Sequence, residues 1–176
     1  MISELREMLL SEHSKAQKER ITAWIGNDQK RFDALIQLFL GAEYRITQRA
    51  AWPLSEIAIN CPWLVSRHLS ELVGTLSHHK AHPAVRRNVL RLFQFVPVPE
   101  NLQGEMLERC FSFLQSADQP IAIKVFSMEV ASHICRQHPD LIPELTELIT
   151  GQVDFSGPGF KSRARKVLAD LKKYKR

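Results

Sequence analysis

One pattern is written about three times along this chain of 176 residues: a proline, an amphipathic helical stretch, a polar turn, then a second helical stretch with a cation near its start. It runs from Pro62, Trp63 and Leu64 to Arg86, from Pro99, Glu100, Asn101 and Leu102 to Lys124, and from Pro139, Asp140 and Leu141 to Arg163. The prolines recur after about 37 and 40 residues and the cations after about 38 and 39. A two-helix unit of this length cannot bury its apolar face alone, so it stacks on a neighbour, and the period is that of an α-solenoid. The expected fold is all-α: a right-handed solenoid of stacked antiparallel helix pairs with about nine or ten helices. One domain over residues 1–176 is expected, with residues 1–26 as N-terminal capping helices and 28–173 as about four repeats.

The pattern between the punctuating residues is helical throughout. Residues 2–25 read as one long helix or as two with a break near 11–14. Asp28 caps a helix whose Phe32, Leu35, Ile36, Phe39 and Leu40 share one face. A helix over about 43–60 carries Pro53 in its middle, predicting a kink near Arg49. Residues 62–76 read as one helix, and Pro83 opens the next. The run Val96, Pro97, Val98 and Pro99 is the nearest approach to a strand, and its prolines make it a linker. The stretch 119–137 is apolar nearly all round, which predicts burial by neighbours on several sides. Residues 151–159 read as a Gly/Pro turn before a final amphipathic helix.

Charge is distributed unevenly. The net +5 arises because residues 161–176 hold eight cations against Asp170, while the remainder is close to neutral. A pI near 9.3 carried by one helix is weaker evidence for nucleic acid than a basic stripe along the whole fold. The first ten residues contain no uninterrupted apolar run, so neither a signal peptide nor a membrane span is expected. Cys61, Cys110 and Cys135 follow neither a metal-ligand nor a disulfide spacing, which suits a reducing, cytoplasmic setting.

Helix pairs at this period resemble HEAT repeats. The resemblance covers about residues 28–173 and implies an architecture, not an activity. In that family an acidic residue in the turn precedes a basic residue of the second helix by six positions, forming a ladder. Glu43 with Arg49 and Asp118 with Lys124 have this spacing. Arg86 looks back to Lys80 instead, and Arg163 has no acid six residues before it.

No Ser/His/Asp, Cys/His or paired-carboxylate arrangement stands out, and neither catalytic residues nor a cofactor are expected. His78, His79 and His82 lack the further N or S ligands a zinc site needs, so no metal is expected and the segment reads as a polar turn. Trp24, Trp52 and Trp63, with Asp33 and Arg45, have the residue types of a base-flipping repair site, but tryptophan between helices reads first as packing. The Gly-rich stretch 151–159 lacks the P-loop pattern. Arg45, Arg87, Arg91, Lys161, Arg165 and Lys166 form the candidate partner or anion surface. The resulting function is a non-catalytic cytoplasmic scaffold that binds a partner protein or peptide on its concave face, with no membrane partner. The alternative is a nucleic-acid-binding or DNA-repair protein that uses the basic last helix and the inner-helix arginines.

Overall fold

A computed structural model describes residues 1–41, 43–77 and 83–174. Among them are eleven α-helices and no strand: α1 Ile2–Ser11, α2 Lys15–Ile25, α3 Gln29–Leu40, α4 Tyr44–Asn60, α5 Pro62–Ser66, α6 Leu69–Thr75, α7 Pro83–Leu92, α8 Glu100–Gln115, α9 Ile121–Cys135, α10 Ile142–Val153 and α11 Pro158–Leu171. The chain forms two compact units, Met1–Val96 and Pro97–Arg176, and the boundary falls inside the proline run read as a linker.

Local chemistry explains most of the boundaries. Ser14 accepts the Gln17 amide at 3.1 Å, so residues 2–25 become two helices. Gly26, at φ +51°, ends α2 in a conformation that L side chains rarely adopt. Asp28 then caps α3 through the amides of Lys30 and Arg31. Prolines open α5, α7 and α11, where a missing N–H costs nothing. The helix α4 continues through the buried Pro53.

Two sequence expectations change. Residues 62–76 divide into α5 and α6 at Arg67 and His68, where the His68 amide bonds back to the Val65 carbonyl at 2.8 Å. That split contributes an extra helix to the nine or ten anticipated. The expected turn at 151–159 shrinks to residues 154–157, because Gly151 remains helical within α10.

In the N-terminal unit the pairs are α1/α2, α3/α4 and α5–α6/α7; second helices α2, α4 and α7 pack successively, as do first helices α1, α3 and α5. In the C-terminal unit the pairs are α8/α9 and α10/α11, with α8 on α10 and α9 on α11. Each unit has its own core, built on Phe32, Phe39 and Phe93 in one and on Met128, Ile149 and Phe160 in the other. Helix α9 is packed by neighbours on several sides, as its composition predicts. Met128, Val130, Ala131 and Ile134 are buried against α8, α10 and α11, but Ala122, Val125 and Phe126 are half-buried and Ile121 is exposed.

Candidate functional site

Side-chain contacts within each unit link residues roughly one repeat apart. In the N-terminal unit Gln29 donates to the Leu64 carbonyl (2.9 Å), while Asp33 accepts from Arg67 and meets His68 Nε2 at 2.7 Å. In the C-terminal unit Gln103 Oε1 meets His138 Nε2 at 2.8 Å, and Gln152 donates to the Leu114 carbonyl at 2.6 Å. The repeat seen as spacing in the sequence thus reappears as contact between stacked pairs.

The second helices of the C-terminal unit are joined by ion pairs. Arg163 Nη1 lies 2.7 Å from Glu129 Oε2, and His133 Nε2 lies 3.4 Å from Glu129 Oε1. The hydrogen bond with His133, helped by Arg163 and opposed by burial, holds the Glu129 carboxyl down to about 2. Farther along, Asp170 takes Arg136 at 2.8 Å and Lys173 at 3.1 Å. The buried Lys124 donates to Gln152 Oε1 at 2.7 Å.

In the N-terminal unit an ion pair again joins second helices, Lys18 of α2 with Glu56 of α4, and carbonyl and indole contacts accompany it. Arg49 Nη1 donates to the carbonyls of Leu9 (2.9 Å) and Leu10 (2.8 Å), satisfying the open end of α1. Lys18 is buried, pairs with Glu56, and stands 5.6 Å from the centre of the Trp52 ring. The His13 ring is 6.0 Å from the same indole. Trp52 itself remains 37% exposed, so α4 presents a half-open aromatic plate flanked by a cation, an imidazole and the capped end of α1. On the first-helix side, burial would raise the Asp33 carboxyl, but bonds from Gln29 and His68 and the Arg67 charge hold it below its ordinary value.

The HEAT repeat domain family matches this chain over residues 5–171. The chain belongs to that family. It is therefore an all-α, solenoid-type helical-repeat scaffold, of a kind that typically mediates protein interaction. No curated protein and no solved structure matches it.

Within this HEAT chain the expected turn-to-helix ladder takes another form. Glu43 pairs with Arg6 at 2.7 Å, leaving Arg49 to the α1 carbonyls. Lys124 reaches Gln152, and the Asp118 amide bonds to Ser116. Neither Glu43 with Arg49 nor Asp118 with Lys124 forms an ion pair among the described residues. The cations instead extend toward the adjacent helix, where stacking places open carbonyls or side-chain acceptors. Arg163, which has no acid six residues before it, finds Glu129 on the preceding second helix.

The remaining candidates are dispersed. Arg45 and Arg91 are exposed and Arg87 is half-buried; on α11, Arg165 and Lys166 are exposed and Lys161 half-buried, with its Nζ 3.5 Å from the Asp154 carbonyl. Only Trp24 follows the packing expectation: it is half-buried, with the Arg31 guanidinium 4.5 Å over its ring. Trp52 and Trp63 are exposed, and Asp33 is tied to Gln29, Arg67 and His68 on the first-helix side. His78, His79 and His82 lie outside the described residues. Elsewhere, no group of three His, Cys, Asp or Glu side chains among the described residues could hold a metal. The Lys18, Glu56 and Trp52 cluster was missed in the sequence because its members lie 34 or more residues apart, except for the i, i+4 relation of Trp52 and Glu56.

Proposed function

We propose that this HEAT-repeat chain is a non-catalytic scaffold that holds a peptide segment of a partner protein against the second-helix face of its N-terminal unit, with Trp52 as the anchor. The observation that carries this reading is the partly exposed Trp52 ring, flanked by Lys18 and His13. A large aromatic contributes contact area at little cost in side-chain entropy, and such residues dominate interface energetics. Glu12 and Arg49 line the recess beside Trp52, and Glu19 and Glu56 lie against Lys18, so polar contacts of both signs are available around the ring. The free thiols Cys61, Cys110 and Cys135 accord with a cytoplasmic setting. No helix among the described residues is long and apolar enough to cross a membrane.

The nucleic-acid reading of this face is weaker, because its cations Arg49 and Lys18 are engaged within the fold, Arg49 with carbonyls and Lys18 with Glu56. Photo-crosslinking in cells separates the possibilities. A benzoylphenylalanine at position 52 should yield discrete protein adducts, while the same probe at the exposed Gln37 on α3 should not. With the captured partner in hand, Trp52→Ala should weaken binding by roughly thirtyfold or more. Equal adducts from both positions, or adducts to nucleic acid alone, would remove this reading.

A further inference from the structure

We propose that the exposed face of α11, together with Phe155 just before it, is a docking surface for an anionic lipid bilayer. This surface lies wholly in the C-terminal unit and is independent of the reading for Trp52. Helix α11 buries Phe160, Ala164, Val167 and Leu171 on one side. At 100° per residue, Lys161, Arg165 and Lys166 spread over an arc of about 140° on the other, and Lys172 and Lys173 continue the exposed surface.

Of these five charges only Lys173 has an ion pair among the described residues. Arg163 is taken by Glu129 and Lys173 by Asp170, the one acid of the segment, which Arg136 also holds. Lys161, Arg165, Lys166 and Lys172 make no ion pair among the described residues. Asp154, in the connection before α11, is the exposed acid nearest to them in sequence. The complement of such a face is a dense array of negative charge.

Phe155 indicates which array. Its side chain is 93% exposed, in the four-residue connection between α10 and α11. A soluble protein partner would need a pocket shaped for the ring. A strand of nucleic acid is held by aromatic platforms seated in a basic groove, whereas the Phe155 ring stands almost wholly clear of the fold. A bilayer needs neither, since the acyl–headgroup boundary closes around any apolar wedge. Each cation near an anionic leaflet adds attraction that salt weakens. Peripheral adsorption of this kind requires no membrane-spanning helix, and the test below sets it against the expectation that the chain has no membrane partner.

The full-length protein should co-sediment with phosphatidylserine-containing vesicles and not with pure phosphatidylcholine vesicles, more strongly at low than at physiological salt. Phe155→Ser should reduce that binding about tenfold with helicity unchanged. The fourfold variant Lys161→Glu/Arg165→Glu/Lys166→Glu/Lys172→Glu should abolish it. Should charge reversal disturb folding, the corresponding serine variants at these exposed positions repeat the test. Absence of vesicle binding, equal binding to both vesicle types, or indifference to Phe155→Ser would overturn the proposal. So would tighter binding to duplex DNA at matched phosphate concentration, which would assign the face to nucleic acid.

Discussion

Both units join their second helices through carboxylate–cation pairs, and they differ in what surrounds those pairs. In the C-terminal unit, α9 and α11 are linked by carboxylate–cation pairs, Glu129 with Arg163 and Asp170 with Arg136. In the N-terminal unit, Arg49 is bound to backbone carbonyls, and Lys18 sits between a carboxylate and an indole. A cation bound to carbonyls carries no acid sensitivity of its own, whereas a carboxylate hub does. A cation seated beside an indole also leaves aromatic surface open, whereas an ion pair presents only charge. The same helical-repeat plan therefore yields one set of second helices whose ion pair lies beside a half-open indole and another joined by ion pairs alone.

The largest effects should come from the cores, where the units are expected to behave alike. Phe39 and Phe160 are both fully buried, so Phe39→Ala and Phe160→Ala should each cost about 3–5 kcal/mol in chemical denaturation. Phe126, half-buried on α9, should cost about 1–2 kcal/mol on the same change, because less area leaves water there. A Phe126→Ala loss as large as that of Phe160→Ala would show Phe126 to be as fully enclosed as Phe160.

The next effect is acid sensitivity, which both units carry and Glu129 carries most strongly. Glu129 is held near pKa 2 against an ordinary value of 4.5, so its contribution is fully present above about pH 4.5 and is lost as pH falls toward 2. Glu129→Gln should therefore cost on the order of 2 kcal/mol at neutral pH and almost nothing at the acid end of that window. Asp33→Asn in the N-terminal unit should show the same sign, since its carboxyl is also lowered. Stability curves of Glu129→Gln and the parent chain that stay parallel down to pH 2 would dissolve the contrast between pairs and carbonyls.

The smallest effects concern glycine. Gly26 adopts φ +51° at the end of α2, so Gly26→Ala should destabilise by about 1 kcal/mol. Gly104 and Gly151 lie inside α8 and α10 with no atom within 4 Å of an added Cβ, so alanine there should stabilise by about 0.4–1 kcal/mol. Thermal midpoints moving in opposite directions would confirm that one glycine is required by its backbone and the other two are not.

Much of the fold is legible in the amino-acid order, and particular residues show why. Ser14, Asp28, Gly26 and the opening prolines act through bonds to their immediate neighbours, so their meaning is local. The break at Arg67 and His68 is not legible, since nothing in residues 62–76 interrupts the apolar period and Asp33, on another helix, binds both residues. The candidate site is less legible still. Trp52 is visible as a residue, but its exposure and its neighbours Lys18 and His13 are not. Phe155 gives no signal beyond lying in a Gly/Pro stretch.

What the sequence by itself determined is the period, the helical state of nearly every segment, the faces that go inward and the concentration of charge near α11. These follow from hydrophobic spacing and capping, which act within a few residues along the chain. What only the tertiary structure decided is which partner each cation takes. Glu43 goes to Arg6 rather than Arg49, and Glu129 to Arg163, because partners 34 to 40 residues apart are brought together by stacking. A charge is satisfied by whatever acceptor is nearest in space, and that distance is set by how one helix pair lies on the next.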